Sequence, residues 1–368
     1  MAGKFTYKRF ADINLNDPFF DTLKADYPGT ETTRGFVEWF NSKSKGADEA
    51  LVFIDDENRI GAFMYLKEED NEEIKLDTET LPAIPRIKIG TLRISESYRG
   101  QRLGEGAIGL ALWKWRDSKR DEIYVTVFSK HEDLIGQLVR YGFVLKGYNV
   151  DGEGIYTKNR NEISYEDPFK SFPFIDSNFK KAGFLIVNDE YHDTLFPLSQ
   201  LKNVNQQTID LDVANGLSKI YIGSAVKPHY KVGEPVFIYR RYTGNEGAPG
   251  HRSCFTSVCV VTDVIIAKEF GRANIRYDDL IKRIGNKSVF NPDEIRTKYK
   301  SENTVTIICL LYYGFFGEGN NINYNWLNSH GLWKKNGVNY PAQTQYSRQD
   351  FETILKEAKF DVQNIIIN

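Results

Sequence analysis

Cysteine is nearly absent, with three in 368 residues: Cys254, Cys259 and Cys309. An odd number without paired ligand spacing excludes a disulfide framework and offers no metal site. The Cys254/Cys259 pair lies in an apolar, strand-like run and reads as buried thiols. No apolar stretch reaches the roughly 18 residues of a membrane-spanning helix. The longest, "TVTIICLLYYGFFG", suits a buried strand. No apolar h-region follows Met1, so the expectation is a soluble, cytoplasmic protein with no membrane partner. An excess of charge is lacking too. Lys+Arg number 48 against 50 Asp+Glu, a net −2, so only local basic patches could attract a polyanion. Internal repeats and low-complexity tracts are absent.

What is present is a globular composition, 41% hydrophobic and 14% aromatic, in a chain long enough for two domains. Residues 1–160 alternate strand and helix patterns. "KFTYKRF" reads as a strand, and "DPFFDTLKADY" and "TTRGFVEWFNSK" as short helices, the first with Asp17 before Pro18 as cap and first turn. "EALVFIDDENRIGAFMYLKE" reads as a hairpin turning at Asp55 to Asn58. "RIKIGTLRIS" is a longer strand, then come a glycine-rich segment and a helix to about Arg116. "DEIYVTVFS" is a strand, "HEDLIGQLVRYG" a helix stopped by Gly142, and "FVLKGYN" with "GIYTKN" two closing strands. Residues 161–180 lose periodicity, carry two prolines and read as a linker packed through Phe169, Phe172 and Phe174. From 181 to 368 the pattern is mostly β, with short helices around 210–218, at "YDDLIKRIG", at "NPDEIRTKYK" and at "SRQDFETILKEAKF", where Ser347 and Asp350 stand at capping-box spacing.

The segment "YRGQRLGEGAIGLALWKW" sets Gly100, Gly104, Gly106 and Gly109 at the start of an apolar helix, although glycine costs about 1 kcal/mol per helical position against alanine. Gly104-x-Gly106-x-x-Gly109 satisfies the dinucleotide fingerprint formally, but the preceding strand ends near Ser95 and the next strand carries no acid for a ribose. A strand, a basic loop and a helix start do make an anion site, since backbone N–H groups and the helix dipole converge there. A pyrophosphate fits, with Arg99 and Arg102 adding charge. The other reading is a glycine-rich helix start packed closely on a sheet.

"LRISESYRGQRLGEGAIGLALW" resembles motif A of the GNAT superfamily of acetyl-CoA-dependent N-acetyltransferases, with Arg99, Leu103 and Gly104 on the Arg/Gln-x-x-Gly-x-Gly/Ala pattern. "YVTVFSKHEDLIGQLVRYGFVLKGY" resembles motif B, and the element order over residues 1–160 agrees. The resemblance implies that the backbone at Leu92 and Ile94 pairs with the pantetheine arm of acetyl-CoA. It also implies that the amides of Gly100, Gln101, Arg102, Leu103, Gly104 and Glu105 hold the pyrophosphate, and that the strand at 122–128 splays to admit the thioester. This chain departs from the pattern at three places. Arg102 stands at the first motif glycine, His131 where an asparagine is frequent, and Leu138 where the general-acid tyrosine is common. Tyr141, one turn on, matches a core leucine. An amine attacking a thioester still needs a base. Glu96, just past the cofactor strand, and His131, whose pKa a helix N-terminus would lower, are the catalytic candidates.

The rhythm of "LSKIYIGSAVKPHYKVGEPVFIYRRYT" and the strand after it is similar to the PUA-like group of small β-barrels, which includes the ASCH and EVE domains. That resemblance implies binding of RNA or a modified nucleotide. Arg240, Arg241, Tyr242 and Arg252, with His251, flank a loop whose tip is "TGNEGAPG", and arginine on phosphates with aromatics on bases suits a single strand. A solvated hairpin end is the other reading. The expected fold is therefore α+β, a GNAT mixed sheet with flanking helices over 1–160, a linker over 161–180 and a PUA-like β-barrel with short helices over 181–368. The expected activity is acetyl transfer from acetyl-CoA to an amine of RNA, tRNA or a modified nucleotide. The alternatives are a protein or small-molecule acceptor, and a non-catalytic CoA-binding sensor.

Overall fold

The computed structural model describes residues 3–31, 33–199, 201, 212–224, 228–245, 247–335 and 337–367. The chain divides into two compact units. The first comprises Met1–Ala111, Arg120–Leu138 and Phe143–Asn161, the second Leu112–Lys119, Val139–Gly142 and Glu162–Asn368. Among the described residues no helix is long and apolar enough to cross a membrane.

The first unit is built on a seven-stranded mixed sheet: β1 (Gly3–Arg9), β2 (Glu49–Asp55), β3 (Ile60–Glu69), β4 (Arg86–Ile94), β5 (Glu122–Val127), β6 (Val144–Tyr148) and β7 (Gly154–Asn159). Their order is β1-β2-β3-β4-β5-β7-β6, antiparallel throughout except for the central pair β4–β5. The β2–β3 hairpin turns at Asn58, held at φ +61°, while the Asp55 carboxylate accepts from the Glu57 and Arg59 amides. One face of the sheet carries an aromatic core. Phe10, Phe19, Phe20, Phe36, Phe40 and Phe63 pack there with helices α1 (Asp21–Asp26) and α2 (Phe36–Ser44). On the other face Phe53, Ala62 and Tyr98 bury Leu103, the first residue of α3 (Leu103–Ser118). α3 is buried around most of its circumference: between residues 103 and 116 only Gly104, Leu110 and Lys114 are not buried. Helix α4 (Glu132–Arg140) ends where Gly142, at φ +82°, turns the chain and lets Phe143 donate back to Leu138.

The second unit carries a sheet of five main strands: β8 (Gly183–Asn188), β9 (Ser218–Gly223), β10 (Pro235–Arg241), β11 (Cys254–Glu269) and β12 (Val305–Phe315). The order is β8-β10-β11-β12-β9. Among the described residues no ladder joins β8 to β9, so the strands expected to close a barrel form an open sheet. The expected helix around 210–218 lies partly outside the described residues; its described part is Asp212–Asn215. The longer helices of the unit are α5 (Asp189–Leu195), α6 (Tyr277–Ile284), α7 (Pro292–Ser301) and α8 (Arg348–Glu357), and α7 and α8 open with full capping boxes at Asn291 and Ser347. The segment read as a linker is packed into this unit. Phe172 and Phe174 are fully buried, and Ile175–Asp176 pairs in parallel with Ile366–Ile367. Cys254 and Cys259 are buried and Cys309 partly so, all as free thiols; burial pushes the Cys309 thiol up to about 11.

Candidate active site

The sheet of the first unit comes apart at its centre. β4 and β5 pair only from Arg86 with Glu122 to Ile89 with Val125, and beyond Ile89 the ladder stops. Gly90 is the reason. Tyr65 faces Thr91 and Leu66 faces Ile89, so Gly90 is an extra residue, a bulge that bends β4 away from its neighbour. A Cβ at Gly90 would sit 3.2 Å from the Tyr65 ring. Past the bulge the Ser95 N–H donates to the Gly61 carbonyl, 2.8 Å away. Strand alternation then turns the polar groups of Arg93 toward β3, and those of Leu92 and Ile94 toward the gap. These two residues offer main-chain donors and acceptors to whatever lies there.

At the end of β4 the chain turns through a short 3-10 segment, Glu96–Tyr98, into the glycine loop. The Tyr98 hydroxyl anchors it by donating to the buried Asp55 carboxylate. Gly100 (φ +82°) and Arg102 (φ +64°) take left-handed backbone, which puts α3 in line with the gap. Arg102 thus stands in a glycine conformation without being one. Its side chain turns to Glu105: Nε donates to the carboxylate at 3.0 Å, and both side chains are nearly buried. The first ladder bond of α3 runs from the Gly106 amide to the Arg102 carbonyl, so the amides of Leu103 and Gly104 lie outside the helix's own hydrogen bonds. A Cβ built on Gly100 or Gly104 meets nothing within 4 Å. Packing therefore demands glycine at neither position, and both border open space. Arg99 is exposed, 3.4 Å from Glu96, and the Gln101 side-chain amide donates to the Ser97 carbonyl at 3.3 Å.

On the aromatic face of the sheet, at the same open end, stand residues that sequence reasoning missed. Arg93 pairs across the strands with Phe63 and lies over the Phe19 ring, 5.2 Å from its centroid. The Tyr27 hydroxyl donates to Glu153 at 2.9 Å, and its ring lies 5.9 Å from that of Phe128. Lys130 pairs with Asp26 at 2.7 Å. His131 caps α4, and its pKa is lowered by partial burial first and then by Lys130, with Arg93 acting in the same sense, so it is neutral at pH 7. Glu96 is 80% exposed. Both catalytic candidates thus lie within electrostatic reach of Arg93. Leu138 is fully buried, and Tyr141 is buried edge-on to Phe169 and Phe172 within the second unit, which leaves it a packing residue.

In the second unit the basic cluster divides. Arg240 is buried and donates twice to Asp193, at 2.7 and 2.9 Å, so its guanidinium is unavailable to a phosphate and the expectation for this residue is corrected. Asp193 also meets His192 Nδ1 at 2.8 Å, and His192 Nε2 lies 2.7 Å from the Thr256 hydroxyl. Burial lowers the His192 pKa. Against burial, hydrogen bonds from Arg240 and His192 hold the Asp193 carboxyl down to about 2. Arg241 and Arg252 remain exposed, and Arg252 stacks over the Tyr242 ring, 4.9 Å from its centroid, while donating to the Tyr242 hydroxyl.

No protein-family model and no curated protein matches the chain. Among solved structures it is similar to Arabidopsis thaliana NAA60 in complex with acetyl-CoA, 16% identical over 44% of this chain and 99% of that one, with a TM-score of 0.31. It is similar also to AtaTR bound with AcCoA, 15% identical over 43% of this chain and 94% of that one, TM-score 0.32. A GNAT-family acetyltransferase from Listeria monocytogenes is 15% identical over 42% of this chain and 94% of that one, TM-score 0.30.

Proposed function

We propose that the chain is an acetyl-CoA-dependent N-acetyltransferase. The observation that carries this reading is the parting of β4 from β5 beside an α3 N-terminus whose glycines leave open space. Acetyl-CoA would supply the reactive thioester. Leu92 and Ile94 would hold its pantetheine arm by main-chain hydrogen bonds, and the amides leading into α3 would hold the pyrophosphate. Neutral His131, or Glu96 through water, would take the proton from the attacking amine. A thiolate leaves readily, so the loss of a hydroxyl at Leu138 leaves turnover possible. Titration calorimetry of the full chain with acetyl-CoA tests the reading. Stoichiometric binding is expected, and a folded protein that binds none overturns it.

The second unit, as a PUA-like module, recruits the acceptor in this proposal: RNA, tRNA or a modified nucleotide bound by Arg241, Tyr242 and Arg252. With about two phosphates neutralised on a single strand, the log–log slope of affinity against salt is near −1.4. Alanine at Arg241 and Arg252 together flattens that slope and leaves acetyl-CoA binding intact. An unchanged slope in fluorescence-anisotropy titrations removes the nucleic-acid acceptor and leaves a protein or small-molecule amine.

A further inference from the structure

Arg93 sits at the rim of the gap between β4 and β5, flanked in sequence by the two residues whose main chain faces it. Its Nε is buried without a hydrogen-bond partner among the described residues. Nor does any described carboxylate form an ion pair with it, although three lie within electrostatic reach: Asp21, Asp26 and Glu96. Each of the three has a cation of its own, Lys24 at 3.0 Å, Lys130 at 2.7 Å and Arg99 at 3.4 Å. The Phe19 ring covers one face of the guanidinium. A planar guanidinium held by an aromatic ring keeps its N–H edge for a partner, and that edge matches a carboxylate or phosphate with two parallel hydrogen bonds. Burial disfavours the charge until such a partner arrives. Arg93 also projects from the face of the sheet opposite to Ile94 and Leu103, so a group it holds approaches the gap from the side away from the α3 cradle.

Resting on the acetyltransferase reading, we infer that Arg93 is the anion-binding position for the acceptor. The amine to be acetylated belongs to a molecule with a carboxylate or phosphate a few bonds from the nitrogen, and the pairing of that anion with Arg93 brings the amine to the gap. A mere packing partner for Phe19 would give no preference for anions.

Ligand-observed NMR titration of the full chain, saturated with CoA, separates the two. The probes are matched pairs, glycine against glycinamide and phosphoethanolamine against ethanolamine. At least one anionic member is expected to bind roughly tenfold more tightly than its partner, and the pair that shows this identifies carboxylate or phosphate. Arg93→Met should erase the preference and Arg93→Lys keep part of it, with CoA affinity unchanged in both as the sign of an intact fold. No preference in the wild type, no binding of either anionic probe, or a preference that survives Arg93→Met overturns the inference. CoA that binds without anion preference removes this inference alone. CoA that fails to bind removes the acetyltransferase reading with it.

Discussion

Arg102 occupies left-handed backbone that costs an L-residue on the order of 1–2 kcal/mol, and its guanidinium is committed to Glu105. In the proposed anion cradle that pairing has a consequence. A carboxylate at the third residue of α3 would repel a pyrophosphate, and Arg102 cancels it. Arg102→Ala should therefore weaken acetyl-CoA binding by about tenfold, on the order of 1.4 kcal/mol, by uncovering Glu105 rather than by removing a direct contact. Glu105→Gln should leave affinity near the wild type, and the double substitution should do the same, because, with no carboxylate to cover, the loss of Arg102 then costs little. Calorimetry on the four proteins closes this cycle, and additive effects would show that Arg102 touches the ligand independently of Glu105. Residue-scale reading of the sequence set Arg102 at a motif glycine and counted its charge toward the pyrophosphate, because nothing in the spacing weighed Glu105 three residues on as its partner. Arg240 illustrates the opposite case. Adjacent residues on a strand point to opposite faces, so of Arg240 and Arg241 only one could be exposed, and this signal was in the sequence.

At the scale of elements, α3 and its loop were legible because glycine, charge and helical periodicity coincide there. The helix stop at Gly142 and the capping box at Ser347 were legible for the same reason, since local chemistry fixes them. The centre of the site was not. The gap between β4 and β5 depends on one bulge, and Gly90 in "RIKIGTLRI" reads as an ordinary strand glycine until its cross-strand partners are known. Arg93, Tyr27 and Glu153 come from separate elements and converge only through tertiary pairing. Gly104 gives a test of element against site. A methyl group there enters open space in the first turn of α3, so Gly104→Ala should raise thermal stability, by up to about 1 kcal/mol, and lower acetyl-CoA affinity. Thermal melts of empty protein together with calorimetry check both signs. A variant that loses stability would mean that the glycine serves packing.

Over the whole molecule, charge is nearly balanced, and acid sensitivity just below neutral pH comes from histidines that folding keeps neutral. Burial lowers the pKa of His192, which faces Asp193, Thr256, Phe196 and Arg240, and burial and Lys181 lower that of His229. Both native values lie below 6.5, so well above pH 6.5 both states are neutral and this stability is complete. As pH falls below 6.5 the unfolded chain takes protons that the native one refuses, and each histidine removes at most about 1.4 kcal/mol per pH unit. Urea unfolding at pH 7.5 and 5.5 should show the loss, and equal midpoints would contradict it. The parted strands carry a last consequence. Among the described residues four pairs join the halves of the first sheet, Arg86 to Ile89 with Glu122 to Val125, so beyond Ile89 its interior lacks ladder hydrogen bonds. A ligand lying in that space behaves as an eighth, non-peptide strand. On acetyl-CoA binding, deuterium uptake at Leu92 and Ile94 should slow sharply, and the strands on either side should pass from separate exchange in the empty protein to exchange as one cooperative block.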